Sequence, residues 1–103
     1  MTGAYAGISY LKVEWRHDSA EFPVILYSEL DGNRCETRKV DMYADGRVEF
    51  ADAERETGTT GLAEGELMST EEINSFDPFT ARDISKDKFE EVWAEALSRH
   101  ASG

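Results

Sequence analysis

Two tight-turn signals close together do most to limit what this chain can fold into. Asp31-Gly32-Asn33 and Ala44-Asp45-Gly46 join short runs in which side chains alternate with period two, the pattern of strands linked by hairpins. Strands connected so briefly fold back antiparallel, because a parallel pair needs a crossover of a dozen or more residues. The spacing predicts strands over 24–30, 34–43 and 47–51, arranged as a meander. Upstream, Leu11, Val13 and Trp15 alternate with Lys12, Glu14 and Arg16, which predicts one more half-buried strand. Pro23 stands at a strand entrance, where a missing N–H is tolerated. On the third strand Cys35, Thr37, Lys39, Asp41 and Tyr43 oppose Arg34, Glu36, Arg38, Val40 and Met42. Neither set is cleanly apolar, so a bulge that shifts the phase is part of the reading.

A sheet with an apolar face needs a cover. Phe89, Val92, Trp93, Ala96 and Leu97 recur at helical spacing, Ser85 stands at the N-cap, and Arg99 and His100 fall near the carbonyl end. This predicts an amphipathic C-terminal helix laid on the sheet. Ser69-Thr70-Glu71-Glu72 is a capping box and opens a short helix ending before Asp77-Pro78. The expected fold is therefore α+β: an antiparallel sheet of about four strands packed against a C-terminal helix, with a short helix before it. Residues 8–99 form one domain in this reading, with 1–7 and 100–103 as flexible termini. Trp15, Phe89 and Trp93 are the expected core anchors. Residues 52–66, rich in Gly, Thr and Glu, read as a long loop of the kind that often carries function.

Charge narrows the partners. Twenty-two acidic against eleven basic residues give a formal net charge of −11. Such a field repels a phosphate backbone and favours a basic protein partner. Glu54, Glu56, Glu64 and Glu66 in the long loop are the candidate binding residues, with Phe76 and Phe79 as candidate apolar anchors. Arg34, Arg38, Lys39 and Arg47 form at most a faint basic patch, interleaved with Glu36, Asp41 and Glu49, so no nucleic acid is expected. The first residues lack a basic, continuously apolar leader, and no window holds the eighteen apolar residues of a membrane span. No membrane association and a cytoplasmic location are the expectations.

Signals for chemistry are sparse. His17-Asp18 follows a strand, and an imidazole beside a carboxylate is the local pattern of a general base. With Arg38 to stabilise developing negative charge, these residues are the candidate catalytic set of a small hydrolase. Cys35 is the single cysteine, so no disulfide or thiolate cluster is available. Asp52, Glu54 and Glu56 lack the spacing of a calcium loop, and no glycine-rich phosphate loop is present. No metal and no cofactor are expected.

Tyr10-Leu-Lys-Val-Glu-Trp15 followed by His17-Asp18 is a distinctive opening, and Phe89-Glu90 followed by Trp93 a distinctive close. Between them stand Pro23, Tyr27 to Asp31, Arg38 to Val40, Asp45 to Arg47 and Glu71 to Asn74. In these stretches, over roughly residues 8–97, the chain resembles a family of small bacterial domains of unknown function. The resemblance implies no activity and no catalytic residues. The expected role is a protein-interaction module, in its sharpest form one that neutralises a toxin as immunity proteins do. The alternatives are a small hydrolase built on His17 and Asp18, and a structural or regulatory domain without chemistry.

Overall fold

The computed structural model describes residues 7–101. Their elements follow in the order β1 (Ser9–Trp15), β2 (Ile25–Leu30), β3 (Glu36–Met42), β4 (Val48–Ala51), α1 (Thr70–Asn74), β5 (Phe79–Ile84) and α2 (Lys86–Ala101). All strands pair antiparallel in one sheet of order β4-β3-β2-β1-β5. The α+β fold is as expected, and the sheet carries a fifth strand. β5 pairs with β1 from Tyr10↔Ile84 to Trp15↔Phe79, which moves β1 from an edge into the interior. The stretch following Asp77-Pro78 gave no strand signal because Phe-Thr-Ala-Arg-Asp-Ile alternates only weakly, as short edge strands often do.

The turns behave as their chemistry dictates. Asp31 closes the first hairpin by accepting the Asn33 and Cys35 N–H groups on Oδ1, at 2.8 and 3.0 Å. Arg34 then takes a left-handed φ of 62°. The anticipated bulge lies between β2 and β3, where Glu29 faces Arg38 but Leu30 faces Glu36. Thr37 is the extra residue, and it resets which residues of β3 point to which face.

Two apolar layers result. On one face Tyr10, Tyr27, Val40, Val48 and Phe50 meet Phe89, Val92, Trp93 and Ala96 of α2. Phe50 packs edge-on to Trp93 with centroids 5.3 Å apart, and Tyr10 lies 5.2 Å from Phe89. On the reverse face Leu11, Leu30 and Ala81 meet Ile73 of α1, with Val13, Leu67 and Phe79 around them. The apolar set of β1 thus turns away from the C-terminal helix, which covers Tyr10 instead. Alternation tells which residues share a face and not which face the helix takes. Phe89 and Trp93 are core residues. Trp15 is only half-buried, in an aromatic group with His17, Phe22 and Phe79, outside both clusters.

α2 starts on Ser85, whose Oγ accepts the Lys88 N–H and whose carbonyl accepts the Phe89 N–H. The helix continues through Ala101, so His100 is helical. Its ring reaches the Val48 carbonyl at 2.8 Å. The 52–66 segment is pinned across the sheet. Thr57 bonds Phe50 on both backbone groups, the buried Thr60 donates to Asp41, and the Ala63 N–H donates to Glu36. Gly58 suits this position: its φ is +59°, and a Cβ would sit 2.7 Å from the Glu49 carboxyl carbon and force that side chain to move.

Candidate functional site

An open sheet edge is a ready binding surface, because its unpaired N–H and C=O groups can accept a strand. Both edges of this sheet are partly capped from within. On β4, Thr57 takes the N–H and C=O of Phe50 and His100 takes the carbonyl of Val48. On β5, the Asn74 side chain acts as one residue of a missing strand. Its Nδ2 donates to the Ala81 carbonyl at 2.8 Å and its Oδ1 accepts the Ala81 N–H at 2.6 Å. The face under α2 is filled by the larger core. The reverse face keeps an apolar opening.

There α1, only five residues long, covers the β5 side and leaves a groove of about 310 Å³ over β1 and β2. Leu11, Val13 and Leu26 line it from the sheet, and Ile73 and Phe79 from the α1–β5 side. Ala63, Leu67 and Met68 line it from the chain leading into α1. That strap is held by Arg34, whose carbonyl accepts the Leu67 N–H and whose guanidinium donates to the Leu67 and Met68 carbonyls. The αL backbone of Arg34, unfavourable by roughly 1–2 kcal/mol for a side-chain-bearing residue, is offset by these three bonds.

The lining of the groove also includes Ser28, Glu36 and Lys39. Glu36 is almost wholly buried and accepts from the Ser28 hydroxyl at 2.6 Å and the Ala63 N–H at 2.7 Å. The Lys39 side chain is 12% exposed, and its ammonium stands 3.9 Å from Glu36 and 3.7 Å from Asp41, beyond hydrogen-bond length. Asp41 is buried, accepts from Thr60 at 3.0 Å on Oδ2, and has no partner on Oδ1. Burial pushes its carboxyl above the ordinary value, and Lys39 and Thr60 draw it partway back. Apolar walls with a few convergent polar groups are the usual make-up of a binding site.

The residues singled out from the sequence are scattered. The two nitrogens of His17 are both engaged by backbone. The Ser19 N–H donates to Nδ1 at 3.0 Å, which leaves Nε2 as donor to the Pro23 carbonyl at 2.8 Å. Asp18 is exposed. Arg38 belongs to the α2 side, clamped bidentate on Glu29, bonded to Glu90, and stacked 5.0 Å from the rings of both Phe89 and Trp93. Its guanidinium pulls Glu29 down to about 2 and also lowers Glu90. Arg38 therefore lies apart from His17 and Asp18, which line an open cleft beside Arg16. Burial and the charges of Asp31 and Glu66 push the Cys35 thiol up, opposite to what a nucleophile requires. Among the described residues no group of three or more His, Cys, Asp or Glu could hold a metal ion.

The basic patch dissolves as well, since Arg47 stacks on Tyr43 at 4.0 Å and Arg34 serves the strap. Glu54, Glu56, Glu64 and Glu66 are exposed, and none has an ion-pair partner among the described residues. They fall into two stations: Glu54 and Glu56 beside β4, Glu64 and Glu66 on the strap that walls the groove. Phe76 is exposed, whereas Phe79 lines the groove. Sequence reading placed Glu36, Lys39 and Asp41 only among the mixed charges of a faint basic patch and gave Ser28 and Thr60 no binding role, although Ser28 sits between Leu26 and Leu30 on the same side of an apolar strand. A hydroxyl there was the available signal.

No helix of the described residues is long and apolar enough to cross a membrane. No curated protein and no solved structure matches the chain. One family model does match, over residues 9–98, and it runs from the opening strand to the last turns of α2. With nearly the whole fold inside that match, the chain belongs to the small bacterial family described as a domain of unknown function, DUF6881.

Proposed function

We propose that this domain is a non-enzymatic binding module for a basic protein, docking it on the groove and its acidic strap, and that its role is to neutralise that partner, as an immunity protein neutralises a toxin. The observation that carries the reading is an apolar groove walled by a strap whose Glu64 and Glu66 are exposed and have no ion-pair partner among the described residues. Apolar anchors buried in such a groove supply most of an interface's affinity, while the rim charges set association rate and choice of partner. The overall charge of −11 adds long-range steering toward a basic surface, an effect that weakens as salt rises.

The test is affinity capture by the tagged domain from a lysate of its source organism at low salt, read by mass spectrometry. The wild type is run beside a variant with Glu54, Glu56, Glu64 and Glu66 all changed to Gln. The expected result is one basic protein retained stoichiometrically, released by salt, and bound at least tenfold more weakly by the variant. Glu64 and Glu66 should account for most of that loss. Equal capture by both forms, with the same salt dependence, would place the interface elsewhere.

A further inference from the structure

The groove's polar lining says more than that it binds protein. Resting on the binding role above, we infer that the groove receives a single tyrosine side chain of the partner, with the phenol oxygen accepting from Lys39. Its volume, about 310 Å³, lies at the bottom of the range of roughly 300–1,000 Å³ for ligand pockets. That is the scale of one large side chain. Apolar walls from Leu11, Val13, Leu26 and Phe79 suit an aromatic ring.

The polar groups select what the ring carries. Lys39 brings donors that neither carboxylate approaches within hydrogen-bond length. A purely hydrocarbon side chain would strip water from that ammonium and return nothing, an unfavourable exchange. A lysine or arginine would set a second cation against Lys39. A carboxylate would set a second anion against Glu36, the carboxylate that lines the groove. The group that fits is neutral, with an acceptor for Lys39 and a proton to offer in return. A phenol has both: its oxygen accepts from Nζ, and its O–H donates to Glu36, whose oxygens each hold one bond already and have a lone pair to spare.

Four probes of one shape test this on the full chain: p-cresol, toluene, 4-methylbenzylamine and 4-methylbenzoate. Each is titrated while methyl chemical shifts of Leu11, Val13, Leu26, Leu67 and Ile73 are followed by NMR. p-Cresol is expected to move these methyls and to bind roughly tenfold tighter than toluene, the factor one charge-assisted hydrogen bond supports. Both charged probes should bind more weakly than p-cresol. Leu26→Phe, which fills the groove with an apolar group and keeps the strand, should abolish the shifts, and Lys39→Met should make p-cresol and toluene equal. Should Lys39→Met fail to fold, the ranking of the four probes on the wild type still decides. Toluene matching p-cresol, either charged probe binding best, or shifts confined to other residues would each overturn the inference. Such a failure with glutamate-dependent capture intact removes the tyrosine and leaves the binding module. Conversely, p-cresol selectivity without any captured partner overturns the protein-docking reading and with it the tyrosine, leaving a phenol subsite.

Discussion

Changing Glu29 to Gln tests the strongest ionic contact in the molecule, and its cost should vanish in acid. Glu29 is 14% exposed on β2 and accepts both Nε and Nη2 of Arg38, at 2.9 and 2.6 Å. Hydrogen bonds from Arg38, then from Thr37, hold its carboxyl at about 2, below the ordinary 4.5, against the opposing pull of burial. A group whose folded value is depressed stabilises the fold above its unfolded value and loses that contribution as pH falls through the folded one. The gap corresponds to about 3.4 kcal/mol at pH 7, about 1.4 at pH 3 and about 0.4 at pH 2. Solvent reaches the open side of the triad, where Glu90 is 41% exposed, so screening trims the neutral-pH figure to about 2–3 kcal/mol. Arg38 keeps Glu90 and its two aromatic rings in the variant, which limits further loss. The assay is urea unfolding followed by the fluorescence of Trp15 and Trp93 at pH 7, 4.5 and 3, comparing the variant with wild type. The comparison cancels the relief of overall negative self-repulsion that acid brings to both proteins. A stability difference that stayed the same from pH 7 to pH 3 would refute the assignment of this shift to Glu29.

His17→Ala should lower stability by about 1–2 kcal/mol, since it unties the Ser19 N–H and the Pro23 carbonyl; an unchanged thermal midpoint would show that the 17–23 turn does not depend on the ring. At Arg34, Ala keeps the left-handed strain and loses the two guanidinium bonds, whereas Gly loses only those bonds. Arg34→Gly should therefore be the more stable of the two by about 1 kcal/mol in denaturant unfolding, and the reverse order would mean that this left-handed backbone carries no strain that glycine relieves. Asn74→Ala uncovers the N–H and C=O of Ala81 on the β5 edge. It should cost about 1–2 kcal/mol and produce concentration-dependent association in analytical ultracentrifugation, while a strictly monomeric variant would show the edge to be protected by other means.

The parts of the fold written into local chemistry were legible, and those set by three-dimensional context were not. Ser69 and Glu72 form both halves of the capping box, and the 89–97 stripe is the buried face of α2, because caps and helical spacing act within a turn or two. β5 was missed because its pairing with β1 is decided far away in sequence, with Arg82 and Asp83 exposed at an edge. The site was missed for a related reason. Lys39 and Arg38 are neighbours with the same charge, yet Arg38 points into the aromatic layer under α2 and Lys39 into the groove. Strand alternation sets those two apart, and the extra residue at Thr37 is what turns Glu36 to the groove beside Lys39. His17 drew attention as a titratable group beside a carboxylate, but the nearest hydrogen-bond partners of its ring are backbone atoms within six residues.

The loop glutamates supply the last argument, because their contribution to stability and their contribution to binding point in opposite directions. Glu54, Glu56, Glu64 and Glu66 are exposed, and no described cation pairs with them, while the chain already carries a net charge of −11. Each therefore adds self-repulsion without a compensating contact. Replacing all four by Gln keeps every backbone bond that pins the segment, including those of Thr57, Thr60 and Ala63. The variant should be as stable as the wild type or more so, by up to about 1 kcal/mol at low salt, with the gain fading as salt screens the repulsion. A residue set that can be removed without loss of fold, yet is needed to hold the partner, is a binding surface in the plain physical sense. If the variant instead melts markedly lower, these carboxylates hold the segment in place, and the weaker capture it shows would reflect a displaced strap.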